Sequence, residues 1–425
     1  MQIELAYGKT GLAVEVPDAN LAQVLTMSNP IPITDTYIEI TKSLLRPIGI
    51  DRTLFDMAKN RSSACILICD ITRPVPNRII LPPILKTLHA AGLKYEDILI
   101  LIATGIHRPN LDDELTELVG EEIKSKYRIE NHYSGDLDSH KYLGKTTRGA
   151  DIWLDKRFVE ADLKIATGFI EPHLMAGFSG GRKLIVPGIA GIETMKHMHG
   201  AEMLAHPNAR EGIIEGNPFH EEALEIANIA GVDFIVNVAL NEKKEICGIF
   251  SGDLNKAHLA GVEFVYSSVR DTVPKPVDVV ITTSAGYPLD TTFYQAIKGL
   301  TAALPIVKKG GTIIIAAECS QGIGSQDFTR LITETQNLDV FVHKILHENY
   351  FVIDQWQLQE YAKAAKKAKI ILVSHGLTQQ QKDAIHVPWA ESVEAALAGE
   401  LARLGENARV AVIPRGPYIL AEVAH

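Results

Sequence analysis

The sequence predicts an α/β fold, built as two α/β units with largely parallel sheets and an active-site cleft between them. Short apolar runs rich in β-branched residues alternate with helical patterns, an order typical of parallel sheets. A polar stretch with two prolines at 270–277 interrupts this alternation, which then restarts. We therefore predict one unit over 1–270 and a second over 271–425, a division that suits a chain of 425 residues.

The predicted elements of the first unit follow from hydrophobic period and turn residues. Its predicted strands are QIELAYG, GLAVEVP, SACILICD (63–70), EDILILIATG (96–105), IENHYS (129–134), ADLKIATGF (161–169) and the hairpin pair DFIVNVALN and KEICGIFSGD. Its predicted helices are two within 35–60, ILPPILKTLHAAGL, DDELTELVGEEIKSKY, IETMKHMHGAEMLA, residues 217–231 and HLAGVEFVYSSV.

The second unit repeats the same rhythm. Its predicted strands are VDVVITTS, GTIIIAAE, KIILVSH and ARVAVIP, and its predicted helices include TTFYQAIKGLTAALPIV and WQLQEYAKAAKKA.

Bulk composition excludes several classes of protein. A net charge of −10 argues against a nucleic-acid or anionic-membrane partner. No apolar run reaches the length of a membrane span, and the N-terminus lacks a signal-peptide pattern, so a cytoplasmic location is expected. The four cysteines are too scattered for a disulfide framework. Cys65 and Cys69 are either a zinc pair or buried apolar side chains, and we favour burial.

Three predicted strands of the first unit end in chemically reactive turns. The first of these strands is followed by Asp70 and Arg73, the second by His107 and Arg108, and the third by Glu171 and His173. Because parallel strands place their carboxyl ends at one edge of the sheet, these side chains should converge. His107 and His173 would suit an acid/base pair, or they could simply be strand-end histidines that make hydrogen bonds.

The segment 168–200 is unusually rich in glycine and histidine. Its GFSGGRK run (177–183) resembles a phosphate-binding loop, in which Gly180 and Gly181 would offer backbone N–H groups to an anion. Leu184 follows the lysine, so the run is not a Walker A motif, and a tight structural turn is the alternative. Lys183 could contact a phosphate or carry a covalent cofactor.

The pair His197 and His199 cannot chelate one metal from a single helix, because residues two apart point to different faces. At most one of the two is a metal ligand. In the second unit, Gln295 and Lys298 could bind a small carboxylate, although a solvated helix explains them equally well. Arg73 could fork onto a carboxylate or a phosphate, and Trp356 is either a cleft wall or a core aromatic.

Together these pieces resemble the lactate racemase family, the nickel-pincer enzymes. The matching motifs occur in order over most of the chain: DITRPVP, ATGIHRPN, GFIEPHLMAGFSGGRKLIVPGIAG, HMHG (197–200), GYPLDTTFYQAIKG and DQW. Each motif is weak alone, but the ordered set is specific.

The resemblance implies a role for each matching residue. Lys183 would carry a nickel-pincer nucleotide covalently (a pyridinium-3-thioamide-5-thiocarboxylic acid mononucleotide nickel complex), and His199 would bind the nickel. His107 and His173 would be the acid/base pair. The remaining matches are cofactor-side positions (Asp70, Arg73, Gly180, Gly181 and Tyr294) and substrate-side positions (Arg73, Gln295, Lys298 and Trp356).

The implied activity is inversion of C2 of a 2-hydroxy carboxylate, lactate or a relative, by reversible hydride transfer to the cofactor through a 2-keto acid. Separate cofactor-biosynthesis proteins would be needed for maturation. Two alternatives stay open. An NAD-type dehydrogenase is disfavoured because no GxGxxG motif is present, and a non-catalytic anion- or cofactor-binding protein would not need His107 or His173.

Overall fold

A computed structural model describes residues 1–348 and 350–424. Two six-stranded sheets, flanked by helices, form the body of the chain. All neighbouring strands in these sheets run parallel except one pair, so the predicted α/β class is confirmed.

The apolar runs become strands and the amphipathic runs become helices, as their periodicity predicts. The strands are β1 (Gln2–Leu5), β2 (Leu12–Glu15), β3 (Leu21–Val24), β4 (Ala64–Cys69), β5 (Ile98–Ala103), β6 (Arg128–Asn131), β7 (His140–Lys145), β8 (Asp151–Asp155), β9 (Leu163–Phe169), β10 (Pro172–His173), β11 (Gly177–Phe178), β12 (Phe234–Leu240), β13 (Ile246–Gly252), β14 (Arg270–Val273), β15 (Val277–Thr283), β16 (Val307–Ala316), β17 (Lys369–Val373), β18 (Trp389–Ala390), β19 (Val410–Ile413) and β20 (Leu420–Val423). The helices are α1 (Thr36–Leu45), α2 (Leu54–Ala58), α3 (Asn77–Ala90), α4 (Asp113–Val119), α5 (Glu121–Lys126), α6 (Lys156–Val159), α7 (Ile192–Met198), α8 (Ala201–Ala205), α9 (Pro218–Ala230), α10 (Lys256–Val269), α11 (Phe293–Ala303), α12 (Gln326–Glu334), α13 (Leu338–His347), α14 (Gln355–Lys367), α15 (Gln379–Ala384) and α16 (Val393–Leu404).

The first sheet has the order β13-β12-β9-β4-β5-β6. From the central strand β4 the chain first builds outward through β5 and β6, and it later returns to the other side of β4 with β9. The direction of strand addition therefore reverses next to β4, and ligands of open α/β sheets bind at the carboxyl ends beside such a reversal. The final strand, β13, pairs antiparallel with β12, as the predicted hairpin requires.

The second sheet has the order β18-β17-β16-β15-β19-β3. Its edge strand β3 comes from the N-terminus and pairs in parallel with β19. The β1–β2 hairpin also packs on this sheet, since Leu5 and Val14 share a core cluster with Ile281. Residues near the N-terminus therefore pack with the second sheet, and the division of the chain at residue 270 stays a prediction.

Two long predicted helices are each split in the structure. DDELTELVGEEIKSKY divides into α4 and α5 at Gly120, whose φ of +83° is unsuited to a helix interior. IETMKHMHGAEMLA divides into α7 and α8, and His199 ends α7. The second break leaves His199 at a helix terminus.

The two halves of the chain are joined by a small mixed core and by polar contacts. Leu420 of β20 packs with Ile170, Phe178 and Val265 of the first half. The side-chain amide of Gln359 donates to the Ala201 carbonyl oxygen at 2.8 Å. The Gln359 contact holds α14 of the second half against α8, which begins two residues after His199.

The cysteines are buried in apolar cores. Cys65 and Cys69 lie in β4 with 1% and 8% of their surfaces exposed, which confirms the buried interpretation. Burial raises the pKa of the Cys69 thiol to about 12, so its metal-binding thiolate form is disfavoured. Within residues 1–348 and 350–424, the helices are too short or too polar to cross a bilayer.

Candidate active site

Asp70 and His107 form a hydrogen-bonded pair at the carboxyl ends of β4 and β5. His107 Nδ1 lies 2.7 Å from Asp70 Oδ2, and Asp70 is buried. Burial alone would raise the pKa of Asp70, but the hydrogen bond and the charges of His107 and Arg73 outweigh it and hold that pKa below its ordinary value. Because a carboxylate only accepts, Nδ1 of His107 carries a proton, and Nε2 is the ring nitrogen left to exchange one. His107 is thus set up as a base.

His173 differs from His107 in its partner at Nδ1, because backbone N–H groups donate to this nitrogen. The N–H groups of Met175 and Ala176 lie 3.3 and 3.2 Å from Nδ1 and donate to it. The proton of the neutral ring therefore sits on Nε2. Burial, and then nearby positive charges that include Lys298 and Arg73, lower the pKa of His173 well below its ordinary value, so the ring is neutral near pH 7.

Lys183 is in contact with His173, its Nζ lying 2.6 Å from His173 Nε2. Since Nε2 carries the ring proton, it donates and Nζ accepts, which requires an uncharged amine. Burial, followed by the charges of Arg73 and Arg182, lowers the pKa of Lys183 well below its ordinary value in agreement with this geometry. A neutral lysine amine in a partly enclosed site is a nucleophile.

His199 is oriented like a metal-binding histidine. Its Nδ1 donates to the Met195 carbonyl oxygen at 3.0 Å, which leaves the Nε2 lone pair free. Burial lowers the pKa of His199 to about 4, so the ring is neutral at pH 7. Its neighbour His197 instead forms an ion pair with Glu222 at 3.2 Å. The two histidines do point to different partners, as residues two apart on a helix must.

The Gly180–Gly181 turn is packed against the first sheet. Both glycines have positive φ, and the Gly181 N–H donates to Asn237 Oδ1 at 2.7 Å. A Cβ on Gly180 would approach Asn237 Oδ1 to 2.9 Å. The N–H that a phosphate loop would offer from Gly181 is therefore already engaged, and the turn's observed contacts are those of close packing. Cofactor binding by Gly180 and Gly181 stays a prediction.

The second half contributes α11 and the start of α14. Burial and the nearby charge of Arg73 lower the pKa of Lys298 to about 8. The side-chain oxygen of Gln295 is buried and has no hydrogen-bond partner among the described residues. A buried oxygen without a hydrogen-bond partner, such as Gln295 Oε1 in α11, fits a ligand that carries a hydroxyl or amide donor.

Tyr294 and Trp356 hydrogen-bond to each other rather than to the open cleft. Trp356 Nε1 donates to the Tyr294 hydroxyl at 2.9 Å, and that hydroxyl donates to the Asp354 carboxylate. Trp356 also lies against His199, with ring centroids 5.0 Å apart. Trp356 is therefore a wall beside the metal-competent histidine, and its polar group is already satisfied.

Arg73 links the two halves of the site electrostatically. Its positive charge acts on Asp70, His173, Lys183 and Lys298. Asp70 also contacts His107, so side chains that follow β4, β5 and β9 lie together, and their predicted convergence is confirmed.

The sequence places Glu171 at a strand end without giving it a role, and Asp354 and Tyr418 were not singled out. Burial raises the pKa of Glu171, against the opposing charges of Arg73 and Lys298. Asp354 lies beside the Tyr294 hydroxyl, and Tyr418 lies near Glu171 and Arg73. Tyr418 follows β19, so the strand-end rule applied to the predicted strand ARVAVIP would have pointed to this segment.

The arrangement combines an uncharged lysine amine, a histidine with a free lone pair, and two histidines held at Nδ1 by different partners, groups from which an enzyme site can be built. Comparisons with known proteins identify the same class. A family model described as the lactate racemase N-terminal domain matches residues 7–212, and another described as the lactate racemase C-terminal domain matches residues 272–420. The chain belongs to the lactate racemase family and is an enzyme of the isomerase class.

Individual relatives span the whole chain. The lactate racemase of Thermoanaerobacterium thermosaccharolyticum is 37% identical over 424 residues, which cover 98% of each chain. The lactate racemase of Lactiplantibacillus plantarum is 36% identical over 428 residues, which cover 99% of each.

Solved structures show the same fold. The lactate racemase apoprotein from T. thermosaccharolyticum matches with a TM-score of 0.93 at 35% identity, covering 99% of this chain and 100% of that one. A protein from Thermotoga maritima matches with a TM-score of 0.66 at 16% identity, covering 94% of this chain and 100% of that one, and shares the fold.

Proposed function

We propose that this enzyme inverts C2 of a 2-hydroxy carboxylate, with lactate as the reference substrate. The observation that carries the proposal is the opposite proton placement on His107 and His173, next to a neutral Lys183. A racemase must exchange the hydroxyl proton of either enantiomer, and two acid/base groups with different proton placements supply that chemistry. Full-length similarity to lactate racemases supports the same reaction.

The residues present fit the nickel-pincer nucleotide that the family resemblance implies. Lys183 offers an uncharged amine for a covalent link, and His199 offers a lone pair on Nε2. Both side chains lie against Phe219, with Nζ 5.6 Å and the His199 ring centroid 5.7 Å from the centre of its ring. When bound, this group would supply the centre that takes up the C2 hydrogen with its electron pair.

His107 is ready to act on the hydroxyl group of one enantiomer. Its Nε2 accepts the hydroxyl proton, and the Asp70 carboxylate stabilises the imidazolium that results. The pocket beside this ring is lined by Gly105, Tyr133, Ser134 and Asp136, which leaves His107 open to solvent. The ring can therefore exchange its proton with water between turnovers.

His173 acts on the opposite enantiomer after a local change. Once Lys183 carries the cofactor, Nε2 of His173 loses its present partner and becomes available to substrate. To exchange a proton at Nε2, the ring has to carry its other proton on Nδ1. The long hydrogen bonds from Met175 and Ala176 must then give way.

The substrate carboxylate is held by cationic and polar side chains from both halves. Arg73 and Lys298 supply positive charge to the carboxylate, and Gln295, whose side-chain oxygen has no partner among the described residues, lies on the same helix as Lys298. This anchor would stay in place while the planar 2-keto acid turns between its two faces.

The test is to produce the protein together with cofactor-building proteins and to measure intact mass, nickel content and interconversion of D- and L-lactate. A mass increase on Lys183, one nickel per chain and racemisation are expected. If the cofactor-loaded protein inverts another 2-hydroxy acid but not lactate, the proposed reaction stands and lactate is not the substrate. An unmodified Lys183 without nickel would remove the cofactor from the proposal. Maturation by separate proteins and a cytoplasmic location stay predictions.

A further inference from the structure

Arg182 is the largest side chain in the protein that is almost completely buried, with 1% of its surface exposed. Its guanidinium donates to the carbonyl oxygens of Ala176 at 2.7 Å and Gly180 at 3.3 Å, and its Nη1 lies 2.9 Å from His258 Nε2, which is also 2.9 Å from the Ser179 carbonyl oxygen. Its Nε has no partner among the described residues. Within the same residues no carboxylate pairs with Arg182, and burial alone sets its pKa, lowering it to about 9. The guanidinium is therefore a buried positive charge at neutral pH.

A buried charge without a counter-ion is costly, and a turn does not need one to hold its shape. The hydrogen bonds that Arg182 makes to the two carbonyl oxygens could come from a neutral amide. His258 is neutral too, because burial and the charge of Arg182 lower its pKa well below the ordinary value. The positive charge itself therefore calls for a function.

The nearest functional group in the chain is Lys183, which follows Arg182 in the short 3-10 turn Gly181–Leu184. The geometry at His173 already requires an uncharged Lys183 amine, independently of any electrostatic argument. Several other charged or titratable groups face this amine from the surrounding elements: Arg73 after β4, Glu171 after β9, His173 in β10, His199 at the end of α7 and Lys298 in α11.

We propose that Arg182 is a positioning residue for cofactor loading, whose buried and unpaired charge keeps the neighbouring Lys183 amine in its uncharged, bond-forming state. The proposal rests on the proposed function in one respect, namely that Lys183 is the attachment residue. In this role Arg182 needs no contact with substrate or cofactor, because it acts through Lys183.

The sign of the effect follows from electrostatics. A positive neighbour disfavours the ammonium form, and the charge of Arg182 is among those that lower the pKa of Lys183, after burial and Arg73. Removing that charge should raise the pKa of Lys183. For removal of one neighbouring charge in a protein interior, a shift of about one pH unit is expected.

The test measures Lys183 in the apoprotein, which needs no cofactor. The protein is trace-labelled with acetic anhydride between pH 5 and 11, and Lys183 acetylation is quantified in peptides against the exposed Lys94. In each event the neutral amine nitrogen bonds to an acetyl carbon, acetate leaves with the bonding electron pair, and the amine proton passes to solvent. The midpoint of the labelling curve reports the pH at which Lys183 loses its proton.

Three variants separate charge from structure. Arg182→Gln removes the charge and keeps a hydrogen-bonding side chain. His258→Glu leaves Arg182 in place and offers it a carboxylate that neutralises its charge. This variant provides the test if Arg182→Gln does not fold. His258→Gln disturbs the same contacts but leaves the charge unpaired.

We expect Arg182→Gln and His258→Glu to move the Lys183 midpoint up by about one pH unit, while His258→Gln stays near wild type. No shift in the first two variants, or an equal shift in all three, would overturn the proposal and leave Arg182 a structural residue. Because the assay uses apoprotein, its failure is distinct from a failure of loaded protein to interconvert lactate.

Discussion

The two histidines of the site lie in contrasting surroundings. The side chain of His107 is 42% exposed and is held by a carboxylate, with a second carboxylate, Asp354, close enough to be influenced by its charge. His173 contacts the uncharged Lys183 amine, lies near the cations Lys298 and Arg73, and is held by backbone N–H groups. His107 is therefore surrounded by negative charge, whereas His173 is surrounded by positive charge, which opposes a second proton on its ring.

This difference shows how one type of side chain is given two roles. The partner at Nδ1 selects which nitrogen carries the proton, and the neighbouring charges determine how readily a second proton is taken up. The same cations that keep His173 neutral can bind a substrate carboxylate. One group of residues therefore both sets the protonation of His173 and anchors the substrate.

Removing either ring should have the largest effect. His107→Ala and His173→Ala are each expected to lower racemisation about 10²- to 10⁴-fold, because each ring serves one enantiomer. Chiral chromatography of loaded protein measures this, with the exposed His386→Asn as the unaffected control. Full activity in either variant would mean that the ring is only structural, as the binding-protein alternative holds.

Asp70→Asn tests the carboxylate side of the comparison. An amide can donate to His107 Nδ1 and so move the ring proton to Nε2, where it blocks the base. We expect about a hundredfold loss of kcat with Lys183 still modified. Asp70→Glu, which keeps a carboxylate, should retain more activity than Asp70→Asn. Equal losses in the two variants would argue against control of the tautomer by Asp70.

The cationic side should give a pH-dependent KM. The pKa of Lys298 is lowered by burial to about 8, so its charge is present below pH 8 and is lost above it. KM for the carboxylate should therefore rise above pH 8, up to about tenfold per pH unit. Lys298→Arg keeps its charge throughout and should flatten this rise in steady-state kinetics. A wild-type KM that is constant between pH 7 and 10 would contradict the assignment.

The smallest effect is expected at the wall of the cleft. Tyr294→Phe leaves the buried Trp356 N–H and the Asp354 carboxylate without their shared partner, at a cost of about 1–3 kcal/mol in the free energy of unfolding. Urea denaturation measures it, with Tyr361→Phe as the control because only burial acts on that hydroxyl. A kcat that falls more than about tenfold would show that the Tyr294 hydroxyl also acts on the bound ligand.

The strand-end side chains were predictable because parallel topology alone places them together. Asp70, His107 and His173 follow β4, β5 and β9, and their placement needs only strand order and direction. Lys183 and His199 followed from the ordered motifs of the family.

Other features depend on contacts that no local pattern encodes. The proton placement on His173 is set by the N–H directions of Met175 and Ala176, and the Gly181 N–H is taken by Asn237, which lies 56 residues away. Strand β3, with the sequence LAQV, has too weak an apolar pattern to be predicted, and pairing with β19 makes it a strand. Local periodicity cannot report such tertiary pairing.

The pairing of β3 with β19 also constrains how the chain reaches its native state. The ribosome releases Leu21–Val24 near the start of synthesis and its partner Val410–Ile413 near the end. The second sheet therefore cannot be completed until almost the entire polypeptide has emerged, while the first sheet can form earlier from contiguous sequence. Such long-range closure slows folding and leaves strand edges exposed to aggregation in the interval. A fragment that begins at residue 271 would lack β3 permanently, and the exposed edge of β19 would make it a poor candidate for independent expression.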